Sequence, residues 1–303
     1  MSENMQDWSF ILTMVALILV GQGKNTSRQV GTIIDQEEIE RNLLTNVDNG
    51  EREELVARIV NGEAAMEAEL PYQVSLQYMS NNRAISNKEG HICGGSLLSS
   101  TWVMTAAHCV TMYTAEVLYI VGGTVDISAQ DSPVMKVVRI VRHQYDDRTK
   151  VNDIALLEIE PALYTPISLC SSVFNPAGLD CVVSGWGHTH STGSYTQDRL
   201  RKVSLRVVHD QLCRKMLRGL PWDKNTMLCA GGEDKDACQG DSGGPMVCQQ
   251  DKDNPCIAGI VSWGVPCATR GVPGVYTRVS TYLPWIQTIT GIVTGNNSGV
   301  DEN

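Results

Sequence analysis

The sequence predicts an all-β protein built around one module, and three observations predict it. Beyond residue 58 the chain is rich in Val and Gly and sets short apolar runs between turn-forming residues, the pattern of many brief strands rather than of long helices. All ten cysteines fall in that same stretch. No internal repeat interrupts it, and about 245 residues is a size for one domain.

The elements follow in chain order. Phe10–Val20 is an apolar run of eleven residues, long enough for the core of a signal peptide and too short to span a bilayer comfortably. Gly21 and Gly23 supply small residues for cleavage after Gly23, so residues 1–23 read as a signal peptide. Glu3 and Asp7, with no Lys or Arg before the apolar run, leave an uncleaved anchor as the alternative. Residues 24–58 carry Asp35, Glu37, Glu38, Glu40, Asp48, Glu51, Glu53 and Glu54. Such a composition buries little apolar surface and reads as a flexible acidic pro-segment. The module spans residues 59–290, and Tyr282-Leu283-Pro284-Trp285-Ile286-Gln287 opens a C-terminal helix with an apolar face. A Gly/Asn-rich tail, 291–303, closes the chain. Asn25-Thr26-Ser27 and Asn296-Asn297-Ser298 are glycosylation sequons.

Charge excludes one class of partner. The chain carries a net charge of −10. Its first 58 residues hold five basic and ten acidic side chains, leaving 19 and 24 in the module and tail, a net of −5. That mild acidity argues against nucleic acid. An even number of cysteines behind a secretory-looking start favours disulfides in an oxidising compartment, because no Cys-x-x-Cys or paired Cys/His spacing points to zinc. His188-Thr189-His190 falls in a Gly/Ser/Thr-rich loop and reads as loop rather than metal site.

The chemistry concentrates in Asp236-Ala237-Cys238-Gln239-Gly240-Asp241-Ser242-Gly243-Gly244-Pro245. A serine among glycines sits on a sharp turn, where the N–H groups of Gly240 and Ser242 are available to a bound oxyanion. A serine hydroxyl needs a base, and the base needs an orienting group. Thr105-Ala106-Ala107-His108-Cys109 and Asn152-Asp153-Ile154-Ala155-Leu156 each set one capable polar residue in an apolar stretch. His108, Asp153 and Ser242 together complete such a set.

On these motifs the chain, from about Ile59 to Ile292, resembles the trypsin-like serine proteases of the chymotrypsin family. The resemblance implies two antiparallel six-stranded Greek-key β-barrels with a C-terminal helix, one barrel from about 59–163 and one from about 178–280, joined by a crossing near Thr165 to Asn175. It implies Ser242 as nucleophile, His108 as general base and acid, Asp153 as the group orienting the imidazole, and the N–H groups of Gly240 and Ser242 as the oxyanion hole.

It also implies a specificity pocket with Asp236 at its floor, selecting Arg or Lys, and with Ser262-Trp263-Gly264 and Pro273-Gly274-Val275-Tyr276 as walls kept open by Gly264 and Gly274. Ala237 stands where many trypsins carry serine. Without that hydroxyl a lysine ammonium loses a partner, while a guanidinium still pairs bidentately with Asp236, so Arg is expected over Lys. Leu217 sits where trypsins often have tyrosine, within a Cys213–Cys229 loop longer than usual.

Arg58-Ile59-Val60-Asn61-Gly62 resembles an activation junction. Cleavage after Arg58 would free the amine of Ile59 to pair with Asp241, ordering the oxyanion loop and pocket. The resemblance implies disulfides Cys93–Cys109, Cys181–Cys248, Cys213–Cys229 and Cys238–Cys267. Cys170 and Cys256 remain and are expected to pair, with a bond to another chain as the alternative. The expected protein is a secreted, extracellular, monomeric zymogen with no cofactor and no metal, acting on protein or peptide substrates and meeting protein protease inhibitors. The stretch from Gly122 to Asp131 offers no carboxylate set that matches a calcium loop. The alternatives are a catalytically silent binding protein on the same scaffold and a membrane-tethered protease.

Overall fold

Strand β10 (Arg201–Val208) shows how the pattern becomes a barrel: its residues alternate between buried and more exposed along its length, with Val203, Leu205 and Val207 turned inward. The computed structural model describes residues 62–78, 90–129, 131–187, 197–232, 240–251, 254–264 and 271–293. The apolar run 10–20, the pro-segment, both sequons, Arg58, Ile59, Asp236, Ala237, Cys238, Cys267 and His188–His190 lie outside the described residues.

After a two-residue strand β1 (Glu63–Ala64), six strands form the first barrel: β2 (Gln73–Tyr78), β3 (His91–Ser99), β4 (Trp102–Thr105), β5 (Leu118–Gly122), β6 (Val134–Arg142) and β7 (Ala155–Ile159). They close in the order β2-β3-β4-β7-β6-β5, every pair antiparallel. A second ring uses β9 (Asp180–Gly185), β10, β11 (Met227–Ala230), β12 (Pro245–Asp251), β13 (Asn254–Trp263) and β14 (Gly274–Arg278). Its pairings run β9-β10-β11-β14-β13-β12 and return to β9. Two closed six-stranded barrels are the architecture that the resemblance implies. Closure leaves neither barrel with a long open edge.

One detail differs from the sequence expectation. β1 does not join the first barrel; it pairs with β10 of the second. The crossing between the barrels carries β8 (Ser168–Leu169), which pairs in parallel with β13, with Ser168 opposite Cys256. A Cys170–Cys256 disulfide pins that crossing beside the pair. Cys93–Cys109, Cys181–Cys248 and Cys213–Cys229 are also bonded.

One core fills the first barrel with Val74, Leu76, Leu97, Met104, Ile120, Leu156 and their neighbours, and it extends to Ile257 and Ile260 of β13. A helix α1 (Asp210–Met216) follows β10, with Asp210 in its first turn and Arg214 and Lys215 in its last, the charge placement that favours a helix dipole. A short 3-10 turn, Val279–Tyr282, leads into the C-terminal helix α2 (Leu283–Thr290), which buries Leu283 and Ile286 on the first core. Gly291, in the left-handed region, ends it by donating its N–H to Gln287.

Candidate active site

The site forms where the two barrels meet, and it is assembled around a buried carboxylate. Asp153 precedes β7 and is 1% exposed. The chain reaches it through a tight turn in which Lys150 and Asn152 both have positive φ. Asn152 tolerates that conformation and uses its side chain on both sides, donating to Gln144 O at 2.8 Å and accepting from Tyr282 OH at 3.0 Å.

His108 opens a 3-10 turn, His108–Val110, directly after the buried Thr105-Ala106-Ala107 segment that leaves β4, and the Cys93–Cys109 disulfide ties that turn to β3. Its backbone N–H donates to Asp153 Oδ1 at 2.9 Å, and its Nδ1 meets Asp153 Oδ2 at 2.7 Å. An ionised carboxylate only accepts, so Nδ1 carries the hydrogen and the neutral ring keeps its lone pair on Nε2. The ring is 30% exposed.

The second barrel completes the shell of Asp153. Ser262 Oγ donates to Oδ2 at 2.5 Å, and Thr277 Oγ1 donates to the Asp153 carbonyl at 2.7 Å. The register of β13 against β14 breaks between Val261 and Trp263, and this irregularity turns the Ser262 side chain towards the first barrel. Ser262, read from sequence as wall, thus spends its hydroxyl on Asp153.

Ser242 stands on the turn before β12, and backbone bonds from both barrels hold it. Gly94 N donates to Ser242 O at 2.7 Å, and Gly243 N donates to Val261 O at 2.8 Å. The turn requires glycine: Gly240 and Gly243 have φ of +94° and +79°. A Cβ on Gly243 would lie 2.2 Å from Thr105 Oγ1 and 2.5 Å from Gly94 O. This close approach sets Ser242 beside the segment that carries His108. The backbone N–H groups of Gly240 and Ser242 are not taken up by any described residue. The Ser242 hydroxyl likewise has no hydrogen-bond partner among the described residues, and His108 Nε2 has Cys109 Sγ at 3.7 Å.

Asp241, beside the serine, is fully buried and accepts Gly187 N–H at 2.9 Å. His91 supports the same turn, its Nε2 bonding the Gly240 carbonyl at 2.9 Å and its Nδ1 the Ser75 hydroxyl at 2.7 Å. Because a carbonyl only accepts, Nε2 is the donor and Nδ1 receives the Ser75 hydrogen. His91, Ser75, Thr105 and Thr277 carry no motif of their own in the sequence, for each is a polar residue within a largely buried strand.

Of the wall residues, Trp263 pairs with Val275 across β13 and β14. A Cβ on Gly264 would stand 3.9 Å from the Gly274 Cα, so the two glycine segments run close together. Leu217 is 2% exposed and packs with Cys213, Met227, Cys229 and Val275, with Trp263 against the same cluster. Its side chain is packed against residues of both wall strands rather than exposed.

One group of three potential metal ligands occurs among the described residues, Cys93, His108 and Cys109. Both of its sulfurs are committed to a disulfide. In the loop after β5, Asp126 Oδ1 is engaged by Ser128 N and Oγ at 2.9 and 2.5 Å, and these bonds, the hydroxyl first, hold its carboxyl below the usual range.

A family model described as Trypsin matches residues 59–286. The chain is 39% identical over 240 residues to trypsin II-P29 of Gallus gallus, covering 76% of this chain and 88% of that protein. Trypsin I-P1 of the same organism is 39% identical over 241 residues with the same coverage, and trypsin I-P38 is 38% identical.

Proposed function

The chain belongs to the trypsin family of serine proteases, and on that premise we propose that it is a secreted endopeptidase, made as a zymogen, that cleaves peptide bonds after Arg and less readily after Lys. The observation that carries the reading is the His108–Asp153 pair at 2.7 Å, walled in by Ser262 and set beside the turn that bears Ser242.

In the proposed reaction the Ser242 Oγ attacks the scissile carbonyl carbon as His108 Nε2 takes the hydroxyl proton. The electron pair displaced onto the carbonyl oxygen is received by the N–H groups of Gly240 and Ser242, each worth about 3 kcal/mol by the behaviour of such donors. The tetrahedral species collapses, the C–N bond breaks, and His108 returns its proton to the leaving amine. Water then attacks the acyl-enzyme with His108 again as base, and the acid product leaves with Ser242 restored. Asp153 keeps the ring in the Nδ1–H tautomer and balances the charge of the transient imidazolium. Its hydrogen bonds come from both barrels, so both hold the acid in place.

Asp236 at the pocket floor, with Ala237 beside it, supports the preference for Arg. The fully buried Asp241 supports the activation step, since a buried carboxylate is the partner a newly freed amine requires. The four disulfides among the described residues and the apolar run 10–20 support export.

The test is hydrolysis of matched Arg, Lys and Phe peptides before and after cleavage at Arg58, with Ser242→Ala as control. The reading expects Arg hydrolysis only after the cut and none in the control. Equal or faster cleavage after Lys would overturn the argument from Ala237. An inert enzyme with a confirmed Ile59 terminus would overturn the catalytic reading.

A further inference from the structure

The chain just beyond the proposed junction is held in an unusual way. β1 is only two residues long, with Glu63 opposite Lys202 and Ala64 opposite Arg201. So short a ladder holds little by itself. Ala65 N adds a bond to Leu200 O at 2.9 Å, and two adjacent cations of β10 add side-chain contacts. Arg201, 8% exposed, donates from Nη2 to Gly62 O at 2.9 Å. Lys202 Nζ lies 3.2 Å from Glu63 Oε1 and also bonds Glu69 Oε1. Glu69 uses its other oxygen to accept Met66 N–H at 2.9 Å. Gly62 through Glu69 is therefore strapped to β10 at both ends.

The other side of β10 leads to Asp241. Arg201 pairs with Gly185 and Lys202 with Ser184 on β9. Gly185 abuts the buried carboxylate so closely that a Cβ there would fall 2.1 Å from Asp241 Oδ1. The strap and Asp241 thus flank the same strand pair, and two strand spacings amount to about 10 Å. Ile59 lies three residues before Gly62, and three extended residues span at most about 11 Å. The strapped segment has the reach the activation step needs, with little to spare.

We infer that Arg201 and Lys202 are positioning residues for activation: by strapping Gly62–Glu69 to β10, they fix the point from which the amine freed at Ile59 reaches Asp241. The inference rests on the proposed reading of Arg58–Ile59 as the junction.

The experiment uses the full chain cleaved after Arg58, as wild type, Lys202→Gln, Glu69→Gln and the conservative Lys202→Arg. Acetic anhydride labels exposed amines, and mass spectrometry of the N-terminal peptide gives the labelling rate of the Ile59 amine. Hydrolysis of an Arg peptide is followed alongside. Wild type and Lys202→Arg are expected to keep the amine protected. Lys202→Gln and Glu69→Gln are expected to label about tenfold faster, the effect of losing one charge-assisted hydrogen bond. Their kcat should fall as protection is lost, with KM unchanged. Glu69→Gln removes the carboxylate rather than the cation, so it keeps the test open if Lys202→Gln does not fold.

Labelling of both Gln variants at the wild-type rate would overturn the inference while leaving wild-type activation intact. Failure of the underlying reading looks different, because wild type itself would then be equally active before and after the cut.

Discussion

Replacing Gly243 by alanine tests how tightly the turn that bears Ser242 is locked between the barrels. The added methyl would sit at φ +79°, 2.2 Å from Thr105 Oγ1, 2.5 Å from Gly94 O and 3.2 Å from Ala106 N. The left-handed backbone costs about 1–2 kcal/mol for a residue with a Cβ. Two of the three neighbours are backbone atoms, so relief requires the turn to move. Movement threatens the Thr105 Oγ1 to Gly94 O bond at 2.8 Å and the Gly94 N to Ser242 O bond at 2.7 Å, each worth about 1 kcal/mol. The total is roughly 3–4 kcal/mol, which for a domain of this size lowers Tm by about 6–16 °C. The same shift displaces Ser242, and a displacement of about 1 Å at reacting groups costs on the order of a hundredfold in rate. Gly219→Ala is the control, for it has φ +87° and nothing within 4 Å of its added Cβ. It should lose only the backbone contribution and keep its activity. Thermal unfolding and kcat/KM on an Arg peptide measure both effects. If Gly243→Ala proves as stable and as active as Gly219→Ala, the close packing of this turn against β3 and β4 is not what holds Ser242.

Ser262→Ala removes a charge-assisted hydrogen bond from a buried carboxylate, and kcat should fall about tenfold or more with little change in KM; an unchanged kcat would refute the role given to that hydroxyl. His143 packs edge-on against Tyr282 and Trp285, its Nδ1 buried and without a hydrogen-bond partner among the described residues, and burial pushes its pKa below the ordinary 6.5. The unfolded chain then binds the proton more readily, so this contribution to stability is complete above pH 6.5 and is lost as pH falls below it. His143→Phe should therefore flatten the decline of Tm on acidification through that window, whereas an unaltered slope would contradict it. The double variant Cys170→Ser, Cys256→Ser opens a bond with a sequence separation of 86 residues. It should cost about 2–4 kcal/mol in denaturant unfolding while leaving kcat unchanged. A loss of activity at full folding would show that the crossing segment matters to the site.

The fold class was legible because it rests on features repeated along the chain: short apolar runs, turn residues between them, and motifs that resemble one family. What stayed hidden depends on single contacts. β1 pairs with the second barrel through two residues, too few to leave a period in the sequence. α1 is seven residues long, carries Cys213 within it and lies between β10 and β11, where a loop reads equally well. At the site, the motifs single out His108, Asp153 and Ser242, and the structure brings the first two into contact, while the serine hydroxyl has no hydrogen-bond partner among the described residues. Ser262 reads only as part of a wall segment, because nothing in Val261-Ser262-Trp263 announces the break in register beside which its hydroxyl bonds Asp153. His91 reads as one more strand residue until β3 is set against the Gly240 turn.

The central claim is that Ser242 is a nucleophile activated by His108, and a stoichiometric organophosphonate label tests it most directly. The protein, cleaved after Arg58, is treated with an aryl phosphonate ester and its intact and peptide masses are read. The account predicts one adduct per chain, on Ser242, absent in Ser242→Ala and formed far more slowly in His108→Ala. No adduct on the cleaved wild type, or one at Ser242 that forms equally fast without His108, would contradict it.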